Sequence, residues 1–163
     1  MPLLIRPATK SDLPILAQMN RRLIEDEGSR NPMSIAELQN RMGEWLGDEW
    51  QVELFSEGDT VVGYAVYQFR KDIYKPDEVM VYLRQLYIER DRRRRGLGSR
   101  AFKLVAQTRF PAGCRIEVDV LASNPRGAKF WAQVGFQPYC TTLWLRGSTP
   151  SNRGYEHQRA TSV

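Results

Sequence analysis

The stretch of sequence that decides the fold is LRQLYIERDRRRRGLGSR, from Leu83 to Arg100. Its first six residues end a predicted strand, Val79–Ile88, and a basic loop follows. Two glycines, Gly96 and Gly98, then stand where the apolar spacing of the next residues predicts the start of a helix. Glycine lets a backbone approach a ligand closely, and the first turn of a helix offers free N–H groups at the positive end of the helix dipole. The stretch therefore predicts a site for a phosphate-bearing ligand.

Hydrophobic periodicity on both sides of this stretch predicts a single domain of mixed α+β class. Before it, the apolar period is first helical and then changes to the alternation typical of a β-hairpin. After it, Pro125 is suited to the first turn of a helix. In chain order the predicted elements are a strand at Leu3–Arg6, helices ending at Gly28 and Gly47, a hairpin over Trp50–Phe69, the strand Val79–Ile88, a helix from Leu97 to Pro111, a strand at Cys114–Leu121, a helix at Asn124–Val134 and a last strand at Thr141–Leu145.

Composition supports one folded domain and limits its chemistry. The chain has 163 residues, of which 42% are hydrophobic and 26% charged, values typical of a soluble globular protein. We expect the domain to span residues 1–147 and a polar, flexible tail to span 148–163. The single histidine, His157, lies in that tail, which argues against Ser-His-Asp, Cys-His and histidine-ligated zinc sites. We therefore expect a reaction that needs no metal.

The chain shows neither a targeting segment nor a membrane segment in its sequence pattern. The apolar run Leu3–Ile5 is too short for a signal peptide, and no window reaches the ~18 apolar residues of a membrane helix. These features predict a cytoplasmic protein without a membrane partner. Whether it pairs into a homodimer is left open.

Several other interpretations of the glycine-containing stretch compete with a phosphate site for a cofactor. The Walker pattern of P-loop nucleotidases is absent. Gly96–Ala101 fits the dinucleotide pattern G-x-G-x-x-A, but seven residues separate Ile88 from Gly96 where that pattern needs a tight turn. The run Arg92–Arg95 is compatible with a nucleic-acid patch, yet a net charge of +5 does not favour the wide basic stripe that such a surface needs. A solvated charge run leaves the two glycines unexplained.

Two segments resemble the GNAT superfamily of N-acetyltransferases. Arg93–Ser99 is similar to the acetyl-CoA motif of that superfamily, (Gln/Arg)-x-x-Gly-x-(Gly/Ala). Farther along, Val118–Val120, Asn124 and the segment Phe130–Phe136 are similar to its L-E-V … N … Y … L-G-F region. The predicted order of strands and helices matches as well, from the first strand to about Leu145.

The resemblance implies a fold and a cofactor site. It implies a mostly antiparallel mixed sheet, flanked by about four helices, in which two parallel strands, Val79–Ile88 and Cys114–Leu121, splay apart. The pantetheine arm of acetyl-CoA would lie in the gap, and the pyrophosphate would rest on the amides of Arg94–Ser99. The implied cofactor-binding residues are Leu86, Tyr87, Ile88, Arg93, Arg94, Arg95, Gly96, Leu97, Gly98, Ser99, Asn124 and Trp131.

The resemblance also implies candidates for the catalytic residues. Asp119 falls where some members carry a glutamate as general base, so we take it as the first candidate. Glu78 is an alternative, and so are the acids Glu25–Glu27, which could instead attract a cationic amine. Trp131 departs from the family, because many members place a tyrosine there as general acid and an indole gives up no proton usefully.

Because Trp131 cannot act as the general acid, the departing thiolate must take its proton from one of three other sources. Water can protonate it, or the hydroxyl of Tyr87 or Tyr139 can reach it. The expected function is transfer of an acetyl group from acetyl-CoA to a primary amine of a small molecule or peptide, by direct attack in a ternary complex. A non-catalytic acyl-CoA-binding member and a nucleic-acid-binding module using the Arg90–Arg95 run are the alternatives.

Overall fold

A computed structural model describes residues 1–148 of the chain. Within that range it contains five strands and four α-helices, in an order that agrees with the sequence up to the fourth helix. Their bounds are β1 Leu3–Pro7, α1 Leu13–Asp26, α2 Ile35–Leu46, β2 Trp50–Glu57, β3 Thr60–Lys71, β4 Val79–Ile88, α3 Leu97–Arg109, β5 Arg115–Glu117 and α4 Pro125–Gln133.

Side chains accept hydrogen bonds from backbone N–H groups at the start of α2 and in the turn before α1. At α2, Ser34 Oγ accepts from the Glu37 N–H and the Glu37 carboxylate accepts from the Ser34 N–H. The S-x-x-E spacing of Ser34 and Glu37 in the sequence predicts this capping box. Just before α1, Asp12 accepts from the backbone N–H of Thr9 and pairs with both terminal nitrogens of Arg6. These bonds fix the turn that leads from β1 into α1.

The Arg6–Asp12 pair is expected to make folding sensitive to acid. The hydrogen bond from Arg6 lowers the pKa of Asp12 from 3.8 to about 2, with burial opposing it. Because the folded pKa is the lower one, the pair stabilises the protein above pH ~4 and its contribution is lost as the pH falls toward 2. Arg6 is half-exposed, so solvent screening limits the loss in Asp12→Asn to about 1–2 kcal/mol at pH 7.

Urea unfolding at pH 7 and pH 3 measures this contribution. The difference between Asp12→Asn and the parent should shrink at the lower pH, where the parent's carboxyl is partly protonated in the unfolded chain. Asp48→Asn is the matched control, because Asp48 is exposed and forms no ion pair within residues 1–148. Equal stability of Asp12→Asn and the parent at pH 7 would contradict the role given to the pair.

The five strands form one sheet in the order β1-β2-β3-β4-β5. All neighbouring pairs are antiparallel except β4 and β5, which are parallel. That parallel ladder is short and ends at the pair Tyr82–Glu117. Beyond Tyr82 no other described strand pairs with this edge of β4, which leaves a gap between the end of β4 and the segment after β5. The expected splay of two parallel strands is thus present.

A β-bulge lies in β4 at the start of the gap. Val66 of β3 pairs with Gln85 and Tyr67 pairs with Leu83, so Arg84 is an extra residue in the β4 ladder. Bulges of this kind redirect side chains and are frequent next to active sites. Here Arg84 contacts aromatic rings on the α2 side of the sheet and Gln85 accepts from the Tyr64 hydroxyl on that same side. Two consecutive polar side chains therefore face α1 and α2.

The sheet separates two hydrophobic clusters. Val81, Leu83 and Ile88 of β4 pack with residues of α3 in one cluster, and Trp131 of α4 lies at its edge. Tyr64, Val66 and other residues of the opposite face pack with residues of α1 and α2 in the second cluster. The two faces beside the gap are therefore built from different helices.

The structure corrects two sequence predictions. β5 spans only Arg115–Glu117 instead of Cys114–Leu121, because the segment after Glu117 diverges from β4 and forms no ladder with it. Thr141–Leu145 forms no strand: Leu143, Trp144 and Leu145 are 87%, 82% and 92% exposed, and no described strand lies beside them. Most of the predicted tail, residues 149–163, lies outside the described residues.

Candidate active site

The loop Arg94–Ser99, at the start of α3, forms a backbone cradle suited to an anion. Gly96 has a φ of 69° and Arg94 has a φ of 70°, so two residues of the loop adopt the left-handed conformation. Such turns direct successive N–H groups toward one point. The first N–H groups of α3 add to them, since they have no partner within the helix. Leu97, Gly98 and Ser99 supply this first turn, and buried Leu97 anchors it to the core. The predicted residues from Arg94 to Ser99 are therefore brought together.

Gly98 lets α4 approach the first turn of α3. A Cβ atom at Gly98 would lie 3.0 Å from Cε2 of Phe130, so any side chain there must displace that ring. At the start of α4, the Oδ1 atom of Asn124 accepts from the Gly127 N–H at 2.9 Å. Asn124 thus has a capping role that sequence analysis did not assign, and only its Nδ2 group is left to donate to a ligand.

Trp131 belongs to an aromatic cluster beside this cradle. Its ring centroid lies 4.9 Å from that of Phe130, 5.1 Å from Phe136 and 5.9 Å from Phe102, all in edge-to-face arrangements. Half-buried among these rings, the indole extends the apolar surface between α3 and α4. The geometry supports the role of a wall for an apolar ligand segment.

The basic loop is largely neutralised by the end of α1. Arg93 donates from Nε to the Ile88 carbonyl at 2.8 Å and from Nη2 to Asp26 at 2.6 Å, while Arg90 pairs with Glu25 and Asp26. Arg94 and Arg95 are exposed and form no ion pair within residues 1–148. Arg93 therefore positions the loop. The unpaired positive charge left for a ligand lies on Arg94 and Arg95, which is less than the whole basic run suggested.

Two carboxylates lie near the gap, and Asp119 is the first. The Tyr82 hydroxyl donates to Oδ2 of Asp119 at 2.6 Å, which ties the segment after β5 to β4 at the point where their ladder ends. Burial, followed by the effects of Asp119, raises the pKa of Tyr82 to about 12. Sequence analysis did not single out Tyr82, although a parallel register pairing it with Glu117 would have placed it next to Asp119.

Glu27 is the second carboxylate, at the end of α1. The hydroxyl of Ser123 donates to the Glu27 carbonyl at 2.7 Å, so the end of α1 touches the segment between β5 and α4. Burial, and secondarily the charge of Asp26, raises the pKa of Glu27. Its carboxylate has no hydrogen-bond partner among the described side chains.

Three other predicted groups lie away from the gap. Glu78 precedes β4 and pairs with Lys75; eight residues of extended chain, roughly 26 Å, separate it from Leu86. The Tyr87 side chain is 1% exposed, faces α1 and donates to Glu89. Tyr139 is 70% exposed and lies against Arg115, at the opposite end of β5. The structure brings none of these three side chains into the gap.

Residues 1–148 contain no group of three His, Cys, Asp or Glu side chains arranged to hold a metal ion. In the same range every helix is too short or too polar to cross a bilayer.

Comparison with known proteins gives one family and a set of similar folds. The model of the "Acetyltransferase (GNAT) family" matches residues 19–136. A thialysine N-epsilon-acetyltransferase from Bos taurus is 28% identical over 145 residues, covering 82% of this chain and 84% of its own.

Solved structures with the same fold include two from Clostridium species. One, from Clostridium difficile 630, is described as a possible acetyltransferase and superposes with a TM-score of 0.74 at 16% identity, covering 91% of this chain and 99% of its own. The other, a predicted acetyltransferase from Clostridium acetobutylicum, was solved with acetyl-CoA and has a TM-score of 0.69 at 17% identity, covering 89% of this chain and 96% of its own. At these identities the two structures show the fold alone.

The family match spans more than half of the chain. It includes the cradle at the start of α3, the gap beside β4 and both carboxylates near that gap, so the site described above lies inside the matched segment. The chain therefore belongs to the GNAT family and is an N-acetyltransferase.

Proposed function

We propose that the protein transfers the acetyl group of acetyl-CoA to a primary amine by direct attack in a ternary complex. The observation that carries this proposal is the gap beside β4, with an anion cradle on its α3 side and carboxylates near it on the α1 side. A cofactor with a diphosphate and an extended thioester arm suits the α3 side of the gap. An ammonium group suits the carboxylates on the α1 side.

The residues at the cradle fit acetyl-CoA in three ways. The left-handed turns at Arg94 and Gly96 and the first turn of α3 offer N–H groups for the diphosphate. The edge of β4 after Tyr82 has no partner strand among the described residues, so the pantetheine amides can pair with it as a strand would. Trp131 presents apolar surface for the remaining arm. A β4 backbone N–H near Leu86 would then donate to the thioester oxygen as its negative charge develops.

The attacking amine must first become neutral. An ammonium group loses two protons during the reaction: one is released to solvent and one ends on the sulfur of the departing thiolate. Sequence analysis favours Asp119 as the base. In the structure, however, Oδ2 of Asp119 already accepts a hydrogen bond from the Tyr82 hydroxyl, so this oxygen is occupied. Glu27 is a better match, because its raised pKa lies closer to the working pH. We therefore assign proton removal to Glu27.

The thiolate takes its proton from water in this proposal. The indole of Trp131 has no suitable proton. The hydroxyl proton of Tyr87 is engaged in a hydrogen bond to Glu89 on the α1 side of the sheet. As carbon–nitrogen bond formation proceeds, the carbon–sulfur bond breaks and leaves a weakly basic thiolate. Water in the open gap is sufficient to protonate such a group.

Isothermal titration with acetyl-CoA tests the proposal directly. At modest ionic strength we expect saturable binding at micromolar concentrations, and thiol release when a substrate amine is added. NADH and duplex DNA serve as controls for the two other phosphate-binding interpretations, and neither should bind comparably. Absence of both heat and thermal stabilisation at millimolar acetyl-CoA would overturn the proposal.

A further inference from the structure

The α2 side of the gap carries an arginine–tryptophan face made of Arg41, Trp45, Trp50 and Arg84. The guanidinium carbon of Arg41 lies 4.5 Å from the Trp45 ring centroid, and that of Arg84 lies 5.0 Å from Trp45 and 5.4 Å from Trp50. The two indoles contact each other at 5.6 Å. Flat aromatic contacts hold both cations in defined places. This face is therefore an ordered cationic surface.

The two cations of this face lack acidic partners. Neither Arg41 nor Arg84 lies within 4 Å of a carboxylate in residues 1–148, whereas Arg22, Arg90, Arg93 and others are paired. Arg41 donates from Nη2 to Asn20 at 3.0 Å, but its Nε atom is buried without an acceptor. Burial, and then the charge of Arg84, lowers the pKa of Arg41. A buried donor and two adjacent like charges together favour an anion.

The arginine–tryptophan face lies beside the proposed reaction centre. Arg84 is the bulge residue of β4 and comes two residues after Tyr82, whose ring contacts Trp50 at 6.1 Å and whose hydroxyl bonds Asp119. On the other side, Arg41 donates to Asn20 of α1, which lies about two helical turns before Glu27. The cations thus lie on the side of the sheet that is covered by the helix ending at Glu27.

We propose that the amine substrate carries a carboxylate, which binds Arg41 and Arg84 while its amine is directed toward Glu27. This inference rests on the proposed function and names its substrate class: small amino acids rather than simple amines or polyamines. A guanidinium binds a carboxylate through paired N–H···O bonds, and the neighbouring indoles exclude water from them. A polycation would instead meet two unpaired positive charges, which argues against aminoglycosides and polyamines as substrates.

Matched pairs of amines test the preference. Each pair consists of an amino acid and its decarboxylated counterpart, lysine with cadaverine, ornithine with putrescine and β-alanine with ethylamine, assayed for thiol release from acetyl-CoA. We expect kcat/KM to be at least tenfold higher for the carboxylated member. In Arg84→Gln this ratio should fall about tenfold, mainly through KM, and Arg84→Lys should recover part of it. Arg115→Gln removes the same charge from an arginine already paired with Glu117 and should keep the ratio.

Binding of a carboxylate is measured in parallel, so that the inference can be judged even if no amine is turned over. With CoA present, glutarate titrated against tryptophan fluorescence should give a saturable change that Arg84→Gln weakens at least tenfold. The inference is overturned if the decarboxylated members are turned over as well as the amino acids or better. If no pair is turned over, it is overturned when glutarate gives no saturable fluorescence change. Acetyl-CoA titration is the separating control: if it binds while the carboxylate preference is absent, this inference fails and the proposed function stands.

Discussion

Replacing Gly98 with aspartate is expected to weaken acetyl-CoA binding about 100-fold or more. The new carboxylate would stand in the first turn of α3, beside the N–H groups proposed to hold the diphosphate, and close like charges cost several kcal/mol. Its Cβ atom would also lie 3.0 Å from the Phe130 ring. Folding should survive, because an acidic side chain in the first turn of a helix is favourable. Isothermal titration gives the affinity and thermal unfolding reports on the fold.

Gly98→Asn separates charge from size in this experiment. It has nearly the same volume as aspartate and displaces Phe130 equally, so any difference between the two variants reports on charge near the ligand. We expect asparagine to cost about tenfold at most. If the aspartate variant binds acetyl-CoA as tightly as the parent, the diphosphate site is elsewhere.

Replacing Glu27 with glutamine is expected to lower kcat about 100-fold, the range found when a general base is removed. In the parent, the raised pKa of Glu27 keeps the carboxyl protonated to a higher pH than that of a free glutamate. The rate of the parent should therefore fall as the pH drops through that pKa. The glutamine variant should lose this part of the pH profile. Steady-state kinetics with a substrate amine at saturating acetyl-CoA measures both effects.

Two neighbouring acids are the comparison for Glu27. Asp119→Asn is expected to lower kcat less than about fivefold, because it alters only the hydrogen bond from Tyr82. Glu25→Gln removes an exposed carboxylate already paired with Arg90 and should leave activity near that of the parent. A larger loss in Asp119→Asn than in Glu27→Gln would return the role of base to Asp119.

Local patterns in the sequence predicted most of the fold. The capping box at Ser34, the hairpin over Trp50–Phe69 and the helix after Asn124 depend on residues close in the chain, so spacing alone identified them. The lengths of β5 and of the predicted last strand depend on which strands lie alongside. Alternation predicted Cys114–Leu121 as a strand, but the ladder ends at Glu117, since pairing is a tertiary property that alternation does not contain.

The sequence predicted the backbone side of the candidate site and single side chains such as Asp119 and the acids Glu25–Glu27, but not the contacts between side chains. Glycines at defined positions identified the cradle, because close approach and left-handed turns restrict which residues fit there. Side-chain partners were not predictable: the acids at the end of α1 that hold Arg90 and Arg93 are more than 60 residues away in sequence. The polar pair at Arg84 shifts the apolar alternation of β4 by one residue, but the aromatic partners of Arg84 come from α2 and β2, so the arginine–tryptophan face was visible only in three dimensions.

The extra residue in β4 also marks where this strand can change its length over evolution. Arg84 and Gln85 both face α1 and α2, so removing Arg84 would restore regular pairing with β3 and leave Tyr87 and Ile88 on their present faces. The core would keep its packing, and the arginine–tryptophan face would lose one of its two cations. We expect related chains to gain or lose a residue at this position more readily than elsewhere in β4.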